Sequence, residues 1–141
     1  MAAPILTSHT PVAHVMRPGI LSCPPESPVR EVARIMAVHR VHCVIVGGLP
    51  AGVWGVVSDL DLASAVESAT EETTAGEIAA TEAVTLPQTA TLDEAARLMA
   101  QHETAHVVIV DERTGEPMGV VSTLDVALAL AGLVPSPVAS S

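Results

Sequence analysis

Two copies of one short pattern decide the fold of this chain. The first copy is Gly-Val-Val-Ser-Asp-Leu-Asp at residues 55–61, and the second is Gly-Val-Val-Ser-Thr-Leu-Asp at residues 119–125. In each copy an apolar β-branched run, typical of a buried strand, ends at a serine. An aspartate follows three residues later, where the first turn of a helix favours a carboxylate. The pattern therefore predicts, twice, a strand that runs directly into a helix.

The two copies belong to a longer internal repeat. A shift of 63 residues places identical residues on one another over the first part of the repeat: Pro24 on Pro87, Glu31 on Glu94, and His39 on His102. After His39 the shift becomes 64, so that residues 44–46 fall on residues 108–110. One inserted residue between His39 and Val44 explains the change, and the chain is predicted to be a tandem duplication.

The repeat predicts the domain organisation. We expect an N-terminal tail at 1–11, a first domain at 12–68, a linker at 69–74, a second domain at 75–132 and a C-terminal tail at 133–141. The linker is short and polar, as a joint between two domains should be.

Each repeat is predicted to fold as β-α-β-β-α. In the first repeat we expect a strand at 20–23, a helix ending near Arg40, strands at 41–46 and 53–58, and a second helix at 59–68. Ser27 is the expected N-cap of the first helix, and Pro28 is its expected first residue. In the second repeat, Thr91 and Glu94 form a capping box that opens the equivalent helix, and residues 112–115 form the hairpin turn.

The size of one repeat indicates how the two repeats are arranged. A domain of about 60 residues buries only about 60% of its unfolded surface and is marginally stable. Two such repeats gain stability when their sheets cover each other. We therefore expect an α/β (α+β) fold in which two β-α-β-β-α repeats pack sheet to sheet with pseudo-twofold symmetry, leaving two equivalent clefts between them.

Composition excludes several classes of function. Six basic and 16 acidic residues give a net charge of −10, which argues against binding to nucleic acid or to an anionic membrane surface. The longest stretch without Asp, Glu, Arg or Lys, residues 41–58, is interrupted by glycine and proline and does not predict a membrane span. Hydrophobic residues make up 49% of the chain and only Trp54 is aromatic, so the core must be aliphatic. A cytoplasmic protein is expected.

The serine and the aspartate of the repeated pattern have two interpretations. The first is helix capping, in which the serine is the N-cap and the aspartate interacts with the helix dipole. The second is ligand binding, because a carboxylate accepting two adjacent hydroxyls suits a ribose 2′,3′-diol, and the amides of a helix start suit a phosphate. The residues alone leave both interpretations open.

The order of these features resembles the cystathionine-β-synthase (CBS) domain. The resemblance rests on Gly-aliphatic-aliphatic-Ser/Thr-x-x-Asp, placed after Met-x-x-His, an aliphatic strand and a turn, and it covers residues 12–132. The opening segment at 12–18 is also similar. Two copies in tandem resemble a CBS pair, or Bateman module. This resemblance implies a regulatory module that binds AMP, ADP, ATP or S-adenosylmethionine and requires no cofactor. The sequence contains no Gly-x-Ser-x-Gly elbow, no Walker loop and no Gly-x-Gly-x-x-Gly loop, so no enzymatic activity is expected.

The resemblance also implies which residues bind the ligand. Ser58 with Asp61, and Ser122 with Asp125, would hold the ribose. The adenine would lie near the first strand of each repeat, a position taken by Ile20, Leu21 and Ser22 and by Ala83, Val84 and Thr85. The phosphate candidates are His42 and His106, with Arg40 as a further candidate.

Two other functions compete with the adenosyl sensor. One is a structural dimerisation or scaffold protein with degenerate clefts. The other is a metal- or redox-responsive stress protein that uses the histidine pairs His39/His42 and His102/His106 or the two cysteines, although the dipole of a helix C-terminus explains His39 and His102 without a metal. The aliphatic helices at 59–68 and 124–131 predict a homodimer interface, and a regulatory output would need a protein partner.

Overall fold

The computed structural model describes residues 9–48, 52–79 and 83–133. The chain divides into two compact units. We call residues 20–83 the central unit and residues 1–19 together with 84–141 the terminal unit. Most of the two predicted tails, residues 1–8 and 134–141, lies outside the described residues.

The described residues form strands and helices in the mixed order expected of an α+β protein. After a short 3₁₀ turn at Val12–His14, the elements are β1 (Arg17–Pro18), β2 (Ser22–Cys23), α1 (Val29–His39), β3 (Cys43–Gly48), β4 (Gly52–Ser58), α2 (Asp59–Ala65), α3 (Ala75–Ile78), β5 (Thr85–Pro87), α4 (Leu92–His102), β6 (His106–Val110), β7 (Pro117–Ser122) and α5 (Thr123–Leu130). The predicted α+β class with two repeats is confirmed. None of the helices in the described part of the chain is long and apolar enough to span a bilayer.

The central unit contains a three-stranded sheet in the order β2-β3-β4. Strand β2 is parallel to β3, and β3 is antiparallel to β4. Helix α1 is amphipathic, with Val32 and Met36 turned into the core. Their partners are small and aliphatic, as the near absence of aromatic residues predicts: Cys23, Val44, Val46, Val57 and Ala75.

The terminal unit contains a four-stranded sheet in the order β1-β7-β6-β5. Strand β5 is parallel to β6, whereas β7 is antiparallel to both β6 and β1. The buried residues of this unit come from its helices, its strands and the segment before β1: Val12, Val15, Ala90, Leu92, Ala95, Met99, Val107, Ile109, Val121 and Ala129. The same β-α-β-β-α body therefore occurs in both units.

The opening segment of each repeat packs with the body of the other repeat. Val12 and Val15 are fully buried in the terminal unit, and the Val12 amide donates to the Ala90 carbonyl at 2.8 Å. Conversely, α3 joins the central unit, where the Ala75 amide donates to the Ser27 carbonyl at 2.7 Å. The compact units therefore exchange these short segments relative to the order of the sequence repeat.

The predicted start of α1 is wrong by one residue. Ser27 is not the N-cap. Pro28 takes that position with an extended backbone (ψ 149°), and the helix begins at Val29. A proline fits here because the position lacks a hydrogen-bonded amide. At the other end, Arg40 adopts a left-handed conformation (φ 54°) and ends the helix where expected. In the second repeat, the predicted capping box of Thr91 and Glu94 is confirmed.

The register of the two sheets relocates the inserted residue. Cys43 lies opposite Ser58, and His106 lies opposite Ser122. The 63-residue shift therefore continues through β3 and β6, and the extra residue lies in the connection from β6 to β7. The predicted place of the inserted residue, before Val44, is wrong. Shifts of 63 and of 64 residues both align aliphatic residues in this strand, and only the hydrogen-bonded register distinguishes the two alignments.

Candidate ligand sites

The junction of β4 and α2 holds Ser58 and Asp61 in a reciprocal pair. The Asp61 Oδ2 atom accepts hydrogen bonds from the Ser58 amide at 2.8 Å and from the Ser58 hydroxyl at 3.0 Å. In return, the Asp61 amide donates to the Ser58 hydroxyl oxygen at 3.2 Å. The capping interpretation is thus correct in its geometry, and the pair also places a hydroxyl and a carboxylate at one point.

The junction of β7 and α5 repeats this geometry. The Asp125 Oδ2 atom accepts from the Ser122 amide at 2.8 Å and from its hydroxyl at 3.0 Å. The Asp125 amide donates to the Ser122 hydroxyl oxygen at 3.3 Å. The distances agree closely, so the two repeats form the same Ser–Asp hydrogen-bond arrangement at the same strand–helix junction.

The surroundings of the two aspartates differ. Asp125 is fully buried, whereas Asp61 is half-buried. The second oxygen of Asp125, Oδ1, accepts from the Nε atom of Arg17 at 3.4 Å. In the part of the chain that the structure describes, the hydrogen bonds of the Asp61 carboxylate come from Ser58 alone. The repeated pattern therefore gives one open and one engaged carboxylate.

The residues predicted to lie near an adenine occupy equivalent places in the two sheets. Ser22 of β2 pairs with Ile45, and Thr85 of β5 pairs with Val108, so both are exposed residues on edge strands. Ile20 and Val84 come just before these strands and are half-buried. In each unit one strand separates this edge from the strand that carries the serine.

The two phosphate candidates do not occupy equivalent positions. His42 is exposed, and its Nδ1 atom lies 2.8 Å from the Asp59 carboxylate. Its carbonyl accepts from the Asp59 amide, and Ala105 makes the corresponding bond in the second repeat. His106 is instead a half-buried residue of β6, opposite Ser122. His42 and His106 are therefore not structurally equivalent residues of the two repeats.

Arg40, the further phosphate candidate, is an exposed residue at the C-terminal end of α1. The Asp59 carboxylate beside His42 puts a negative charge next to this imidazole, which disfavours an anion there. His106 is likewise engaged in an interaction and is not a free side chain.

The histidine and cysteine side chains of the described residues give little support to a metal or redox sensor. Within the described residues, no three histidine, cysteine or acidic side chains come together as a metal site. His39 and His102 lie in the last turns of α1 and α4. Burial raises the pKa of the Cys23 thiol, and burial together with Asp59 raises the pKa of Cys43 to about 11. At neutral pH both thiols therefore carry less thiolate, the reactive form, than an exposed cysteine does.

A surface depression of about 380 Å³ lies beside the start of α1. It is lined by Val29, Arg30 and residues 69–71, and Arg30 forms an exposed ion pair with Glu71 there. None of the residues predicted to bind a ligand lines it.

Sequence reasoning did not single out Arg17. The segment at 12–18 was expected to open the first repeat, whereas the structure places Arg17 in β1, beside β7 of the second repeat. A signal was available in the sequence. The 63-residue shift places Arg17 on Ala80, so the two repeats differ in charge at this position.

The fold and the paired Ser–Asp junctions agree with the comparison against family models. The CBS domain model matches residues 12–68 and again residues 75–132, which together make up most of the chain. The chain therefore belongs to the CBS domain family and is a CBS pair. No curated protein matches the sequence.

Solved structures support the same assignment. The chain is similar to the CBS domain protein PAE2072 from Pyrobaculum aerophilum complexed with AMP, with 29% identity, a TM-score of 0.77, and coverage of 87% of this chain and 97% of that one. It shares its fold with the CBS domain pair of MJ0100 in complex with 5-methylthioadenosine and S-adenosyl-L-methionine (19% identity, TM-score 0.80, 88% and 98% covered). It also shares its fold with Hypoxic Response Protein I, which has two coordinated zinc ions (21%, 0.70, 84% and 97%).

Proposed function

We propose that this CBS pair is a regulatory module that binds an adenosine-containing ligand, with the ribose on its Ser–Asp pairs. The observation that carries the proposal is the reciprocal geometry of Ser58 with Asp61, repeated by Ser122 with Asp125. A single capped helix needs no further explanation. Two such Ser–Asp pairs, each at the end of the last strand of a repeat, favour a role beyond helix capping.

The hydrogen-bond capacity of a carboxylate explains how a ribose would bind. A carboxylate has about four acceptor sites. Ser58 donates to Oδ2 of Asp61 twice, which fixes the orientation of the carboxylate and leaves Oδ1 as an acceptor. The 2′ and 3′ hydroxyls of a ribose supply two adjacent donors. A prepositioned acceptor loses less entropy on binding than a mobile side chain does.

The other predicted residues complete the proposed site. Ile20 and Ser22 in the central unit, and Val84 and Thr85 in the terminal unit, would border the adenine. His42 and His106 would lie toward the phosphate. The complexes of PAE2072 with AMP and of MJ0100 with 5-methylthioadenosine and S-adenosyl-L-methionine support this class of ligand.

We further propose that the output of the module is conformational and passes through a second copy of the chain or a protein partner. A ligand shifts a conformational equilibrium through its different affinities for the two states. Large apolar side chains are exposed on α2 and α5, including Leu60 at 71% and Leu130 at 55%, and these faces suit a homodimer interface. A cytoplasmic location and domains at 12–68 and 75–132 belong to this proposal.

A melting-temperature screen tests the proposed function. The full chain is heated with adenosine, AMP, ADP, ATP, S-adenosylmethionine or NAD, because a ligand selective for the folded state raises its stability by mass action. We expect a saturable rise with at least one adenosyl ligand. Asp61→Ala and Asp125→Ala together should abolish that rise.

The chain offers matched controls for the loss of a helix cap. Glu77 closes a capping box in the central unit, and Glu94 closes one in the terminal unit. Glu77→Ala and Glu94→Ala should lower the melting temperature yet preserve the ligand-induced rise. If Asp61→Ala and Asp125→Ala behave like these controls, the aspartates are only caps and the ligand binds elsewhere. If no adenosyl ligand raises the melting temperature of the wild type, the protein is a scaffold. A melting temperature that falls with a chelator would instead indicate a metal-responsive protein.

A further inference from the structure

We propose that Arg17 makes the two ribose sites unequal: the Ser58–Asp61 pair takes the first ligand, and Arg17 closes the Ser122–Asp125 pair. The inference rests on the proposed function and adds an order of occupancy to it. Its basis is the different partners of two aspartates whose serine contacts are nearly the same.

Ser122 and Arg17 together occupy three of the about four acceptor sites of the Asp125 carboxylate, so two adjacent hydroxyls cannot both be accepted there. Its Oδ2 atom is held by the Ser122 amide and hydroxyl, and its Oδ1 atom by the Arg17 guanidinium. Asp125 is 0% exposed, so a hydroxyl from solvent does not reach it without a movement of its neighbours. A diol must therefore displace a charged donor, which binds a carboxylate more strongly than a neutral hydroxyl does.

The fold delivers Arg17 to this position. Strand β1 pairs with β7 so that Arg17 lies opposite Val120 and Pro18 lies opposite Gly119. This pairing places Arg17 opposite Val120, two residues before Ser122 at the junction of β7 and α5. The Arg17 side chain is itself 54% exposed, so it covers the carboxylate from the surface and is not part of the packed core.

The sequence gives the central unit no arginine equivalent to Arg17. The 63-residue shift places Ala80 at the position of Arg17. Asp61 is half-buried, and within the described residues its carboxylate is bonded only by Ser58. Within the described residues, the Asp61 carboxylate therefore keeps an acceptor oxygen to which no arginine is bonded.

Calorimetric titration of the full chain with AMP tests the order of occupancy. The wild-type protein should bind one AMP strongly and a second at least about tenfold more weakly, since a hydrogen bond to a charged group must be replaced. Asp61→Ala should leave only the weak event. Adding Arg17→Ala to Asp61→Ala should restore a strong event, and adding Asp125→Ala to that pair should abolish it.

Two further variants guard against effects on folding. Asp61→Asn keeps a side-chain oxygen for the cap while removing the charge, and it should weaken the strong event as Asp61→Ala does. Arg30→Ala removes another exposed arginine that pairs with a carboxylate, and it should not rescue Asp61→Ala.

The outcomes separate this inference from the proposed function. If neither AMP nor any other adenosyl ligand of the melting-temperature screen binds to the wild type or to Arg17→Ala, both are overturned. Two equally strong events in the wild type overturn the inference but leave the proposed function intact. The same holds if Arg17→Ala fails to rescue Asp61→Ala, or if Arg17→Ala weakens AMP binding in the wild-type background.

Discussion

Gly119 and Arg17 touch backbone to backbone: a Cβ atom placed on Gly119 would lie 2.6 Å from the Arg17 carbonyl oxygen and 2.8 Å from the Met16 sulfur. This contact exists because β1 pairs with β7 at this point. The glycine of the repeated pattern is therefore explained here by a close approach of two chain segments. It sets the distance at which Arg17 lies over the end of β7.

Gly119→Ala should destabilise the protein by about 1–3 kcal/mol, because the added methyl has no space and β1 must move. Chemical denaturation measures the change. Gly76→Ala is the matched control and should cost less, because its nearest contacts, the Pro25 Cβ and carbonyl oxygen at 3.2 Å, require a shift of only a few tenths of an ångström and alanine favours the helix. Equal stability of Gly119→Ala and the wild type would mean that β1 does not pack against β7.

Val12→Ala should cost about 2 kcal/mol of unfolding free energy, because two buried methyl groups leave the core of the terminal unit. His14→Ala, an exposed position two residues away, should change stability by less than about 0.5 kcal/mol. Urea denaturation compares the two variants. If both are neutral, the N-terminal segment does not belong to this core.

Asp125→Ala should destabilise the protein more than Asp61→Ala does. Both variants lose a cap, which is worth about 1 kcal/mol. Both variants also leave a half-buried serine amide and hydroxyl without their acceptor, but only the Asp125 variant deprives an arginine guanidinium of its acceptor. Unfolding free energies of the two variants in the absence of ligand measure the difference, and an equal or reversed order would contradict the burial of Asp125.

Cys43 should make stability fall at alkaline pH. In the folded protein the pKa of this thiol is about 11, whereas an exposed cysteine ionises near pH 8.5, about its ordinary pKa. Between these two pH values the unfolded state releases a proton that the folded state keeps. The unfolding free energy is therefore highest below the unfolded pKa of about 8.5 and falls as the pH rises above it. The unfolding free energy, measured by chemical denaturation at a series of pH values, should fall more steeply with pH for the wild type than for Cys43→Ala. Parallel pH profiles would contradict a buried thiol.

The class of fold could be predicted from the sequence because the repeated pattern marks the same strand and helix in both halves of the chain. The Gly-x-x-Ser-x-x-Asp copies fix the last strand and the second helix of each repeat, and the structure forms β4 with α2 and β7 with α5 there. The capping geometry also followed from local chemistry, since a serine three residues before an aspartate needs no distant partner.

The remaining features depend on tertiary contacts that local patterns do not encode. Residues 44–46 and 108–110 are all aliphatic, so the sequence could not show that Cys43 and His106 are the equivalent residues. The position of Arg17 beside Asp125 joins residues 108 positions apart. Such a pairing follows from the exchange of the opening segments, which the order of the repeats does not predict.

A crystal structure of the full chain grown with AMP tests the central claim most directly. We predict that the ribose 2′ and 3′ hydroxyls lie within about 3 Å of the Asp61 carboxylate, the distance of an ordinary O–H···O bond. AMP bound away from both Ser–Asp pairs, or well-ordered crystals grown with saturating AMP that contain none, would contradict it.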